Sequence, residues 1–338
     1  MSILKHVFGI DISKDTFDVQ SARLDEQQRQ EFLEHAQFSN TSTGYRQLLK
    51  WSKRVAGTID APVWFIMEAT GVYHEHLAYY LSEHQQSVSV VLPTKMKNYV
   101  KSLDVKSKTD RLDARAIAQF GLERILEPWY PPTPQLRMLK ALVREYDTIT
   151  DHITAIKNQM HAKEHSHSPL QQTLERLHEQ LHLFQEQIDA IEKEIHALID
   201  DDTDLRPRIM NITTAQGVGF MTAVRVVAET NGFALITSAK QLTSYAGLDV
   251  MIKQSGLRSG KPSISRKGNS SLRRAVFMPA LAAARFNPVL RKFYLRLLKL
   301  KNNKKVALIA VARKLLCLIY ALWRDNVPFN PQHEVRPA

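Results

Sequence analysis

Over its first 125 residues the pattern of apolar and polar positions alternates between strand and helix signals. "HVFGIDIS" and "TFDVQSARL" are short β-like runs joined by "SKD", and "EFLEHAQFSN" reads as a third strand. "NTSTGYRQLLKWSKRV" opens on cap residues and proceeds with helical spacing. "APVWFIMEAT" is an apolar strand, "GVYHEHLAYYLSEH" an amphipathic helix, and "SVSVVLP" a further strand closed by Pro93. A helix from about Thr109 completes the order β-β-β-α-β-α-β-α. Three meandering strands followed by β-α units predict a mixed sheet with helices packed on it.

Next comes the proline-dense "EPWYPPTP", which cannot continue a helix. Residues 136–200 read as two long helices broken at "EHSHSP". In the second, apolar residues recur from Leu170 to Leu198 at alternating gaps of four and three, a coiled-coil seam. The first repeats the pattern less strictly from Leu136 to Met160. The pair is compatible with a hairpin, with pairing to a second chain, or with both. After the acidic "DDDTD" the pattern is again mainly helical. The predicted organisation is an α/β domain over 1–126, a linker over 127–135, a coiled coil over 136–200, and an all-α domain over 205–330.

Charge changes this picture more than composition does. The 338 residues are 44% hydrophobic, ordinary for a soluble protein, and no uninterrupted apolar run reaches 18 residues. The one cysteine, Cys317, lies in "KLLCLIYALW" and reads as a small core residue of a reducing cytosolic protein. The net charge is +12, yet Lys253 to Arg324 holds 18 of the 46 basic residues and no acid. This block is rich in Leu, Val, Ala and aromatics, so it is expected to fold, and a folded basic surface points to phosphate. An anionic membrane fits less well, because the block does not sort into basic and apolar helix faces.

Candidate chemistry lies in the first region. Asp11 falls within the first strand, Glu68 at the end of the fourth, and Asp110 and Asp113 open the last helix on one face. Each has an ordinary reading as a turn or helix-start acid, since the helix dipole favours acids in the first turn. Together they match the arrangement of the ribonuclease H-like fold, where neighbouring strands and a final helix bring such acids to one point. Four carboxylates there repel one another unless cations lie between them, and hard oxygen ligands suit Mg²⁺ or Mn²⁺. Asp15 and Asp18 read as turn or outer-face acids and Asp104 as a loop acid. His161, His165 and His167, and the i,i+4 pair His178 and His182, lack a convincing acid partner set and read as solvated histidines. Gly217-Val218-Gly219 suggests a helix-hairpin-helix whose amides hold a phosphate, or equally a glycine helix cap. The segment "QSGLRSGKPSISRKGNSSLRRA" reads as a solvated loop, or as a mobile one that places a hydroxyl beside a phosphate.

Taken in order, "GIDISKD", "MEATGVY", "SKTDRLDARAIA", "AQGVGFMTAV", "YAGL", "QSG" and "SRKGNSSLRRAVFMPAL" resemble the DEDD transposases of bacterial insertion sequences. These are also called bridge-RNA-guided recombinases, and Piv-type DNA invertases are their relatives. The resemblance implies a RuvC-like N-terminal domain, a coiled coil, and a C-terminal transposase domain. Its metal-binding acids fall on Asp11, Glu68, Asp110 and Asp113. The loop serines Ser255, Ser259, Ser263 and Ser265 are alike by sequence; the resemblance places the nucleophile on Ser255. Lys253, Arg258, Lys267, Arg273 and Arg274, with Gly217 and Gly219, are then the expected nucleic-acid contacts. Also implied are donor and target DNA, a structured guide RNA, a dimer or tetramer, and work on the nucleoid. One departure is local: family members often have Thr-Pro after "AGL", where this chain has "AGLDVMIKQSG".

Overall fold

The computed structural model describes residues 2–57, 60–69, 71–103, 109–234, 236–251, 254–255, 258–260 and 263–332, with the backbone alone at 255, 258, 259 and 301. The chain divides into two compact units, Met1–Pro131 and Pro132–Ala338.

The first unit runs β1 (Ile3–Ile12), β2 (Thr16–Asp25), β3 (Gln30–Ser39), α1 (Ser42–Ala56), β4 (Val63–Glu68), α2 (Glu75–Glu83), β5 (Ser87–Val91), α3 (Pro93–Ser102) and α4 (Asp110–Glu123). Its sheet has the order β3-β2-β1-β4-β5. The first three strands form an antiparallel meander, and β1, β4 and β5 are parallel. This is the mixed sheet that the order of strand and helix signals predicts. Helix α3 is an addition to the predicted order. Pro93 stands in its first turn, so the proline that closes β5 also opens a helix, a position its fixed φ favours.

Alternation along the strands sorts two apolar layers. Phe8, Ile10 and Ile12 of β1 join Phe65 and Met67 of β4 beneath α1 and α2. Val7 of β1 and Ile66 of β4 point to the opposite face and pack with Met96, Ile117 and Ala118 of α3 and α4. Asp11 and Glu68 continue the parity of this second face.

The second unit contains α5 (Pro134–Glu164), α6 (Gln171–Asp200), α7 (Leu205–Thr213), α8 (Phe220–Glu229) and α9 (Ala239–Tyr245). Four two-residue strands follow, β6 (Val250–Met251), β7 (Gln254–Ser255), β8 (Arg258–Ser259) and β9 (Ser263–Ile264). Helices α10 (Ser270–Phe286), α11 (Pro288–Lys301) and α12 (Lys304–Asp325) complete it. The α6 seam is covered by α5 of the same chain: Ile156 and Met160 meet Leu177 in one cluster, and Val143 and Ile153 share another with Ile188 and Ile195. A short connection reverses the chain, so α5 buries the stripe at Leu177, Ile188, Ile191 and Ile195, while Leu170 near the tip stays exposed. Toward its base the hairpin enters the same core as α7, α8, α10 and α12, which makes it an arm of the second unit rather than a separate middle domain. Helix α12 supplies the centre of that core, with Val311, Leu315, Leu316 and Ile319 fully buried. Among the described residues it alone is long and apolar enough to cross a membrane, and 56% of its apolar window is buried here.

Candidate active site

Glycine sets the geometry on the second face of the sheet. A β-carbon on Gly9 would fall onto the backbone of Ala118 and within 2.5 Å of the Ala114 carbonyl. At the other end of α4, one on Gly121 would collide with Ile66 and come within 3.5 Å of Val7 Cγ1. Helix α4 therefore lies directly on β1 and β4, running against the direction of β1, with its first turn toward Asp11. That turn is fixed by Thr109, whose side chain accepts from the Leu112 amide, and it carries Asp110 and Asp113. Parallel register sets Gly9 beside Ile66 and Ile10 beside Met67, which brings Asp11 and Glu68 to adjacent strand ends.

The four acids thus converge from β1, β4 and α4. Burial first, then the charges of Asp113, Asp110, Glu68 and Asp18, push the Asp11 carboxyl up to about 6. No three of these carboxylates lie within 4.8 Å of one another; among the described residues only His161, Glu164 and His165 form so tight a donor group. The acid set still fits a divalent ion by its chemistry: four carboxylates supply hard oxygen donors, and three of them disfavour the charged form of the fourth, Asp11.

Asp18 departs from its expected place on a turn or outer face. It pairs in register with Asp11 across β1 and β2, is 6% exposed, and accepts from His35 Nε2 at 2.8 Å and Gln37 Nε2 at 2.9 Å. The sequence places Asp18 near the four acids but not against Asp11, because its neighbours come from β3 and only the strand register brings them together. Asp104 lies outside the described residues.

In the second unit, Ser255 lies on β7 and its backbone pairs with Arg258 on β8. Lys253 lies outside the described residues. Ser265 Oγ is engaged, donating to Asp249 Oδ1 at 2.5 Å. Gly217 has a φ of +96°, and a β-carbon on it would come within 2.6 Å of the Ala283 amide nitrogen in α10. Its glycine is thus required by internal packing. Gly219 differs: it caps α8 without a side-chain partner, and the space its side chain would fill is open, so an anion can approach that helix start. Lys267 is exposed. Arg273 turns inward, Nη1 donating to the carbonyls of Ala246, Gly268 and Asn269 at 2.9–3.3 Å. Arg274 forms a two-pronged ion pair with Asp151 of α5. Both expected contact arginines therefore already have protein partners.

A family model described as a transposase, of the DEDD type, matches residues 8–169, and a second, for transposases of the IS116/IS110/IS902 family, matches residues 210–295. The pilin gene-inverting protein of Moraxella bovis is 31% identical over 98% of this chain and 99% of its own length. The transposase of insertion sequence element IS1328 from Yersinia enterocolitica is 25% identical, over 79% and 80%. Among solved structures, T. thermophilus RuvC in complex with a Holliday junction substrate aligns with 37% of this chain and 99% of its own, at 11% identity and a TM-score of 0.28. The first match covers most of the first unit and continues through α5, the second lies within the second unit, and the chain belongs to the IS110 family of DEDD transposases.

Proposed function

We propose that this transposase cuts and rejoins DNA through a covalent serine–DNA intermediate, with divalent metal held by Asp11, Glu68, Asp110 and Asp113. The observation that carries the reading is the convergence of these acids on Asp11, whose carboxyl their charges help to raise. Mg²⁺ or Mn²⁺ bound there would supply Lewis-acid stabilisation of charge on the phosphate oxygens. Recombination must conserve the phosphodiester's energy, which hydrolysis discards. Ser255 Oγ attacks phosphorus, a P–Oγ bond forms, the bond to the leaving strand breaks, and that strand departs with a protonated hydroxyl. The serine proton passes to solvent or a nearby base. Attack by the hydroxyl of a new strand end reverses the exchange and frees the serine. Arg258 and Lys253, close to Ser255 in the chain, would hold the phosphate, and Lys267 and Gly219 would bind nucleic acid nearby.

Donor and target DNA are the substrates in this reading, a structured guide RNA selects them, the working form is a homo-oligomer, and the site of action is the cytosolic nucleoid. The +12 net charge, with its acid-free basic block, supports the nucleic-acid partners. Since pairing with an RNA leaves no signature in the protein, sequencing the RNA that co-purifies tests that part alone.

The decisive assay incubates the protein with DNA and Mg²⁺ and separates protein–DNA adduct from free nicks. An adduct that disappears in Ser255→Ala and persists in Ser265→Ala supports the serine mechanism. Nicks without adduct indicate water as nucleophile, as in a metal-dependent junction endonuclease. Retardation of the DNA without cleavage indicates a binding protein.

A further inference from the structure

We propose that His161, Glu164 and His165 form a second metal site, for a transition-metal ion of the Zn²⁺ type, at the tip of the α5–α6 hairpin. The three residues close α5 at i, i+3 and i+4, positions that share one helix face. One ligand atom from each lies within 4.8 Å of the other two, and the histidine rings stand 4.2 Å apart. Donors around a tetrahedral zinc at about 2.0–2.1 Å lie roughly 3.3 Å from each other, so closure needs only a small rotation of solvent-exposed side chains.

A second observation concerns the tautomer. His165 Nδ1 lies 2.8 Å from the His161 carbonyl, which can only accept. Nδ1 therefore carries the proton, and the Nε2 lone pair is available. An imidazole whose other nitrogen donates to a backbone carbonyl is the usual second layer of a metal-ligating histidine. Two imidazoles and one carboxylate form an N,N,O set that suits Zn²⁺ better than Mg²⁺, so this site differs in chemistry from the acid cluster. The hairpin also contains its own control. His178 and His182 have the same i,i+4 spacing on α6, and His182 Nδ1 lies 3.6 Å from Glu186, yet no three-donor group forms there. Three protein ligands leave coordination positions open to water or to a donor from another molecule. A bound ion would pin the last turn of α5, just beyond the cluster of Ile156, Met160 and Leu177.

The test titrates Zn²⁺ into metal-free full-length protein against a chromophoric chelator, with saturating Mg²⁺ present throughout. Wild type is expected to bind one Zn²⁺ per chain more than His161→Ala/His165→Ala. His178→Ala/His182→Ala should keep the wild-type stoichiometry, and Glu164→Gln should bind that ion about tenfold more weakly. Equal stoichiometry in wild type and the His161/His165 double variant overturns the proposal, as does unchanged affinity in Glu164→Gln. Circular dichroism checks that each variant is folded.

Discussion

Gly9 of β1 lies so close to Ala118 of α4 that no β-carbon fits between them. This contact holds the first turn of α4 over the end of β1 and so helps set the distance from Asp110 and Asp113 to Asp11. Backbone meets backbone there, so an added methyl cannot be absorbed by a side-chain rotation. Gly9→Ala is expected to destabilise the first unit by about 1–3 kcal/mol and to weaken divalent-metal binding in the protein that still folds. Chemical unfolding and a Mn²⁺ titration measure the two effects; unchanged metal affinity would separate the α4 contact from the site.

Asp11→Asn tests whether the acids are functional or merely structural. If Asp11 only steadied the fold, its loss would lower stability. Crowded by burial and by Asp113, Asp110 and Glu68, its charge is instead unfavourable in the metal-free state. The neutral isostere is expected to raise the melting temperature in EDTA at neutral pH while abolishing Mg²⁺-dependent cleavage. A lower melting temperature contradicts the clustering; retained cleavage contradicts the metal role.

Glu229 gives the second unit its acid sensitivity. Burial pushes its carboxyl up, but hydrogen bonds from Arg144 and Asn269 outweigh this and hold it below its ordinary value of 4.5. Arg144 Nε donates at 3.0 Å, Asn269 Nδ2 at 2.7 Å, and the Tyr245 hydroxyl donates to the residue's own carbonyl at 3.1 Å. A depressed folded-state value stabilises the protein above the unfolded value, and that stability is lost as pH falls through the folded one. Unfolding free energy measured from pH 7 downward should therefore drop below about pH 4.5. Glu229→Gln should flatten that drop and cost about 1.5–3 kcal/mol at pH 7.

Salt dependence should separate the basic residues into two groups. Arg273 serves three backbone carbonyls, whereas Lys267, Arg291 and Lys292 are exposed. Arg273→Ala is expected to lower stability and leave the salt slope of DNA binding unchanged. Lys267→Ala combined with Arg291→Ala and Lys292→Ala should reduce the slope by about one for each lost phosphate contact. Binding isotherms across a salt series decide between them.

Much of the first unit was legible because its signals are local. Short β-like runs mark β1 to β3 and apolar runs mark β4 and β5, and the parity of Asp11 and Glu68 follows from the strands themselves. Asp18 was not legible: its role depends on pairing with Asp11 on one side and with His35 and Gln37 on the other, which only register determines. Helix α3 was hidden because Pro93 terminates one element and starts another with the same residue. In the second unit, charge counting could not tell Arg273, folded back on carbonyls, from Lys267, left in solvent. The glycine pair divides likewise, since the neighbour of Gly217 is Ala283, far along the chain.

Synthesis order gives α12 a further significance. Among the described helices it comes last in order, yet it fills the centre of the core that α7, α9, α10 and α11 surround. The α5–α6 hairpin draws on contacts close in sequence and can form early, whereas the helices after it lack their central partner until α12 emerges from the ribosome. A copy of the gene interrupted before Lys304 would therefore yield an intact acid-bearing sheet joined to an uncollapsed remainder with exposed apolar helices. Such a product is expected to be cleaved by proteases faster than the full-length protein, because its uncollapsed helices stay open to attack.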